Sequence, residues 1–418
     1  MNKKIVVILG VLPLILSVFS IAQAKDDSII ATRANFKTKL VRKINDNDQI
    51  EPVPPELFSI VKYETPMGDM SAYLSKGDGS KKKQAAIIWI TGGFPAGGAD
   101  GSAWQNMSPS NDQSAKIYRQ MGMVMMYPFL RGSGGNPGFH EGFLGEVDDV
   151  INALKYLQKV DYVDPKRIYL GGHSTGGTLA LIVAALTHDF KAVFAFGPVS
   201  DPRVYGENNV LHDTANEMEY KVRAPINYLP FIKTPTYVFE GSKGNIDSLK
   251  QMSQVNKNKN VTFIPINGAN HFETLAPINA LIAQQITQTK NSTLELNVAR
   301  VQSSYDDFHV SMLEANDLQL MADIRRSGIP FNKPRLVHYY FLARKNEPLA
   351  ASVKELKKLG FDTSDIQSRT DNKQQTFYLL VANKKVNLLD LKSVFATSAQ
   401  ATKVGDKFQT HYDGWGIN

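Results

Sequence analysis

The chain has 418 residues, 47 Lys and Arg against 40 Asp and Glu for a net charge of +7, 43% apolar residues and no cysteine. That length allows two or three domains with sizeable cores, and the absence of cysteine excludes disulfides, thiol nucleophiles and cysteine-ligated metals. The mild positive charge is not gathered into a Lys/Arg patch interleaved with aromatics, so nucleic-acid binding is not indicated.

In chain order, Lys3 and Lys4 form a basic start, Ile5 to Phe19 an apolar core, and Ala22-Gln23-Ala24 an A-x-A cleavage site. This is the pattern of a secretory signal peptide over residues 1–24, and the apolar core is short for a membrane span. The expectation is export to the periplasm or beyond, with no stable membrane anchor. Residues 25–56 are polar and end in Glu51-Pro52-Val53-Pro54-Pro55-Glu56, which predicts an extended arm or spacer. Phe58–Tyr63 and Asp69–Leu74 flank Pro66-Met67-Gly68 as a hairpin, and Ala85–Ile90 reads as a strand covered on both faces.

From there strands and helices alternate. Met121–Tyr127, Arg167–Leu170, Ala192–Phe196, Thr236–Phe239 and Val261–Ile264 are strands. Helices are expected over Phe143–Leu157, from Leu179 to Leu186, and over Ile278–Ile286. This alternation predicts an α/β domain over 57–293, an open and mostly parallel sheet with helices on both faces and its site at the strands' carboxyl ends. A second α+β unit is expected over 300–418. Its elements are a helix Phe308–Arg326, strands Leu336–Leu342 and Phe377–Ala382, and helices from Leu349 to Leu359 and Leu388 to Phe395.

The stretch Gly171-Gly172-His173-Ser174-Thr175-Gly176-Gly177 lies between an apolar strand and an apolar helical run. It fits a strand–corner–helix nucleophile elbow, in which glycines are needed where a Cβ would strike neighbouring backbone. A serine is a weak nucleophile until a base takes its proton. His271, in Gly268-Ala269-Asn270-His271-Phe272 after the last strand, is placed to be that base, whereas His173 reads as a neighbour packed beside the site. The acid has three candidates, Asp247 first, then Glu240 at the end of its strand and Asp201; Gly244 stands where hydrolases usually carry Asp. For the oxyanion, Thr175 offers one backbone N–H, and the Gly92-Gly93-Phe94 loop another, from Phe94 or else Gly93. Arg131-Gly132-Ser133-Gly134-Gly135 lacks the features of a phosphate cradle and reads as a pocket wall. No HExxH or close His/Asp/Glu cluster suggests a metal, and no cofactor is expected.

Through the motifs around Gly92, Arg131, Ser174 and His271, residues 56–290 resemble an α/β-hydrolase of the prolyl oligopeptidase and dienelactone hydrolase-like branches. The resemblance implies a serine hydrolase acting on ester, peptide or related acyl bonds of a small-molecule or peptide substrate. The alternative is a non-catalytic binding protein on the same scaffold. The 32 residues of 25–56 are too few for a propeller, which argues against a size-gated oligopeptidase. Ala315-Asn316-Asp317-Leu318, Lys357-Lys358-Leu359-Gly360-Phe361 and Tyr412-Asp413-Gly414-Trp415-Gly416 make residues 306–418 similar to the regulator of ribonuclease E activity, B type. That family implies a ferredoxin-like fold and a protein partner; an exported chain would not meet a cytoplasmic ribonuclease.

Overall fold

The computed structural model describes residues 28–46, 49–94, 101–288, 294–331, 333–372 and 374–417; the expected signal peptide lies outside them. The first unit runs α1 (Ile29–Asn35), β1 (Phe58–Thr65), β2 (Gly68–Ser75), β3 (Gln84–Ile90), α2 (Ile117–Gln120), β4 (Val124–Pro128) and α3 (Glu146–Leu157). It continues with β5 (Val163–His173), α4 (Thr175–Leu186), β6 (Val193–Phe196), α5 (Glu217–Lys221), β7 (Thr236–Gly241), α6 (Ile246–Val255), β8 (Val261–Ile266) and α7 (Leu275–Gln288). The strands form one sheet in the order β1-β2-β4-β3-β5-β6-β7-β8. Only the β1–β2 and β2–β4 pairings are antiparallel; the others are parallel. This is the α/β-hydrolase fold.

The central runs Ala85–Ile90, Val124–Tyr127, Ile168–Leu170 and Val193–Phe196 are apolar because both faces are covered. On one face Ile88, Leu170 and Val238 meet Val147 and Leu154 of α3 and Leu179 and Val183 of α4. On the other, Trp89, Phe194, Phe196 and Phe239 meet Ile278 and Ile282 of α7. Several boundaries differ from expectation, two of them for clear local reasons. The strand expected from Met121 starts at Val124, because Met121 closes α2. The helix expected from Phe143 starts at Glu146, since Phe143 has a positive φ of 75°. The arm carries the unforeseen α1 and then lies on the body, with Leu40 bridged to His212 and Arg42 donating to the Val210 carbonyl at 2.8 Å.

The second unit comprises α8 (Val298–Arg326), β9 (Arg335–Ala343), α9 (Asn346–Lys358), β10 (Asp362–Thr363), β11 (Gln367–Thr370), β12 (Thr376–Val386), α10 (Leu391–Phe408) and β13 (His411–Gly416). Its antiparallel sheet runs β10-β12-β9-β13, with β11 also on β12. β9 is thus central, between β12 and β13, and with β10 and β11 taken together as one strand on the far side of β12 this is the ferredoxin-like order. Trp415 Nε1 donates to Asp317 Oδ1 at 2.7 Å, tying the C-terminal strand to α8.

The break expected between 293 and 300 needs correction. Leu294, Leu296, Val301 and Tyr305 pack with the hydrolase core, while Met321 and Ile324 of the same helix belong to the small unit's core. One 29-residue helix serves both, beginning at Val298 rather than Phe308. Among the described residues no helix is long and apolar enough to cross a membrane.

Candidate active site

Ser174 sits where β5 turns into α4, with φ 55° and ψ −114°. A side-chain-bearing residue at positive φ is strained, and it persists only where its surroundings fix it. They do so here: Ser174 N donates to the Phe196 carbonyl at 2.7 Å, and a Cβ on Gly172 or Gly176 would collide with backbone, of Gly176 and of Ile90 respectively. Ser174 itself remains half-buried.

His271 lies in the loop between β8 and α7. Its Nδ1 is 3.0 Å from Glu240 Oε2, the imidazole 18% exposed and the carboxylate fully buried. Glu240 also accepts the N–H of Gly241 on Oε1 at 2.7 Å and that of Asn245 on Oε2 at 2.9 Å. Three donors therefore hold this carboxylate, and engagement of Nδ1 leaves Nε2 of His271 as the available base.

The acid expected first, Asp247, is elsewhere. Its side chain is 99% exposed in the first turn of α6, 3.9 Å from Lys250 Nζ. Asp201 is engaged elsewhere too, since it caps a short turn by accepting Arg203 N and pairs with the Arg203 guanidinium, both at 2.8 Å. Glu240 is the carboxylate that meets the histidine. The reason is spatial: a Cβ on Gly244 would strike the Glu240 carboxylate and come within 3.0 Å of His271 Cα. The place where a loop aspartate was expected is filled by a longer side chain reaching from the end of β7.

The segments bearing the candidate oxyanion donors converge on the elbow. Thr175 Oγ1 donates to the Gly93 carbonyl at 2.8 Å, and Gly93 has φ 118°. A Cβ on Gly92 would lie 3.0 Å from Ser174 Cβ. The N–H groups of Thr175, Gly93 and Phe94 thus belong to two backbone segments joined beside Ser174.

Sequence reasoning missed several neighbours. The Tyr205 hydroxyl shares a hydrogen bond with Thr178 Oγ1 at 2.7 Å, and burial raises its pKa, so it stays neutral. Tyr205 stacks on Phe143 at 5.8 Å and meets Phe94 edge-on at 4.8 Å, forming an aromatic wall that no local spacing announces. His173 is more than a packed neighbour. Its Nε2 is 3.1 Å from the His271 carbonyl and its Nδ1 3.2 Å from Gln113 Oε1, which also accepts Gly92 N–H at 3.2 Å. Burial, with His271 alongside, lowers its pKa to about 3, so it is neutral. Arg131 is structural, its guanidinium bonding both oxygens of buried Asp149 at 2.8–3.0 Å and Glu141 at 2.8 Å.

A curated relative, the uncharacterized peptidase YtmA of Bacillus subtilis (strain 168), is 30% identical over 139 residues, 30% of this chain and 54% of the relative. The chain thus spans about half the length of that protein. Among solved structures, an acylaminoacyl peptidase of Pyrococcus horikoshii aligns with 59% of this chain and 44% of its own, at 17% identity and a TM-score of 0.47. An esterase of Pyrococcus furiosus aligns with 59% of this chain and 96% of its own, at 17% identity and a TM-score of 0.45. Residues 109–244, which include Ser174 and Glu240 but stop short of His271, match the prolyl oligopeptidase family, and residues 314–417 match regulator of ribonuclease activity B.

Proposed function

We propose that the protein is an exported serine hydrolase, periplasmic or secreted, that cleaves ester or peptide-type acyl bonds through Ser174, His271 and Glu240. The observation that carries this reading is a strained serine at a strand–helix corner together with a histidine whose Nδ1 faces a buried carboxylate. His271 Nε2 takes the Ser174 proton as Oγ attacks the acyl carbon. It then delivers that proton to the leaving group, and later activates the water that frees the enzyme. Glu240 orients the ring and stabilises the imidazolium; the N–H groups of Thr175 and of Phe94 or Gly93 receive the oxyanion. The aromatic wall of Phe94, Phe143 and Tyr205 suits an apolar or aromatic acyl substituent on a small-molecule or peptide substrate. Export rests on the pattern of residues 1–24, and the C-terminal unit is assigned to binding a protein partner. A fluorophosphonate probe should label Ser174, and Ser174→Ala should abolish labelling and hydrolysis of nitrophenyl esters and aminoacyl-nitroanilides. A folded Ser174→Ala variant that keeps more than a few per cent of turnover would end this reading.

A further inference from the structure

His271 is carried by a loop with no strand partner, so something other than a hydrogen-bond ladder must hold it. On the inner side stand Glu240 and His173. On the outer side stands the first part of α8. Gln302 pairs its primary amide with the peptide group of Asn267: Asn267 N donates to Oε1 at 2.8 Å, and Nε2 donates to Asn267 O at 3.1 Å. Two antiparallel bonds to one residue fix both its position and its orientation, as a neighbouring strand would. One turn on, buried Tyr305 packs beneath Gly268, whose Cβ position lies 3.7 Å from its ring. Its hydroxyl reaches Glu273 Oε2 at 3.5 Å, and that oxygen accepts Asn270 N–H at 2.9 Å. The helix thus grips the loop on both sides of the histidine.

The same helix is the one on which the C-terminal unit is built. That unit touches the acid's side as well, because Asp406 of α10 pairs with Lys243 at 2.6 Å. Lys243 precedes Gly244, which lies against Glu240, and its own N–H donates to Ala269 O at 3.0 Å. Both loops that set the His271–Glu240 contact are therefore braced from outside the hydrolase sheet.

We propose that Gln302 is a positioning residue for His271, so that α8 and the unit it carries complete the active site rather than merely adjoin it. The inference rests on the catalytic reading above. Misplacing a catalytic group by about 1 Å costs up to ~100-fold in rate. In the full-length protein, Gln302→Ala should therefore lower kcat for a nitrophenyl ester about 10- to 100-fold, with KM within about twofold. The rate of Ser174 phosphonylation by a fluorophosphonate should fall in parallel, since that step also needs the base. Gln302→Glu keeps the acceptor for Asn267 N–H but sets an oxygen against Asn267 O, so it should not restore the rate. Gln319→Ala, farther along the same helix where the side chain donates to the exposed carboxylate of Asp323, should match the parent. In a His271→Ala background Gln302→Ala should add no further loss, because the two act as one unit. An unchanged kcat in Gln302→Ala, a loss confined to KM, or an equal loss in the His271→Ala background would each overturn the proposal while leaving the Ser174 reading intact. Turnover surviving in Ser174→Ala would overturn both.

Discussion

Glu240→Gln is the substitution that most directly tests the site. The side chain keeps its length, so its remaining oxygen can still accept from His271 Nδ1 and Asn245 N–H, while its NH2 is set against Gly241 N–H. That donor-on-donor contact should cost about 1–3 kcal/mol of stability. The catalytic loss has another origin. As Ser174 gives up its proton the imidazole becomes cationic, and in the parent a carboxylate contacts it at 3.0 Å. Charges centred ~4 Å apart attract by about 4 kcal/mol at an effective dielectric of ~20. Losing that attraction in the transition state is worth about three orders of magnitude in turnover. The assay is steady-state nitrophenyl ester hydrolysis beside a denaturant melt of the same preparation. Asp247→Asn, an exposed residue, should match the parent. A folded Glu240→Gln variant within tenfold of parent turnover, or an equal loss in Asp247→Asn, would show the argument to be wrong.

Arg131→Met should destabilise the fold by about 3–5 kcal/mol in a denaturant melt, because it strands buried Asp149 without its guanidinium. Stability should fall on acidification below about pH 6.5, the unfolded value for histidine. Burial lowers His173 to about 3 and His212 to about 4, so between those values and 6.5 the unfolded chain binds protons that the folded one does not. Each of these histidines then removes up to ~1.4 kcal/mol per pH unit, and His212→Gln should flatten the slope of melting temperature against pH. A chain ending at residue 293 should lose both solubility and esterase activity, because it lacks Leu296, Val301 and Tyr305 from the core and Gln302 from the loop; a soluble, active truncation would contradict this.

The elbow and the histidine were legible because each is a local pattern, a glycine spacing in one case and a residue just past a strand in the other. The carboxylate that meets His271 ranks only second from the sequence, because counting along the loop after β7 finds Gly244, and the fold is what shows that Glu240 reaches the same point. The start of α8 was hidden for a different reason. Its first turns bury only Val301 and Tyr305, too few residues to draw a stripe along the sequence. Strand β13 was missed because its register shifts between Tyr412 and Trp415, around Asp413-Gly414, which breaks the alternation that betrays a strand.

Glu240 and a side chain at position 244 compete for one volume. The two positions therefore form an either–or pair: a protein with this backbone can hold its acid on the strand or on the loop, but not on both. Gly244→Asp alone should drive two carboxylates into contact and weaken the fold. Joined to Glu240→Ala, it supplies a carboxylate where one has just been removed. A carboxylate can thus move between the two positions only through an intermediate that is crowded or lacks one altogether.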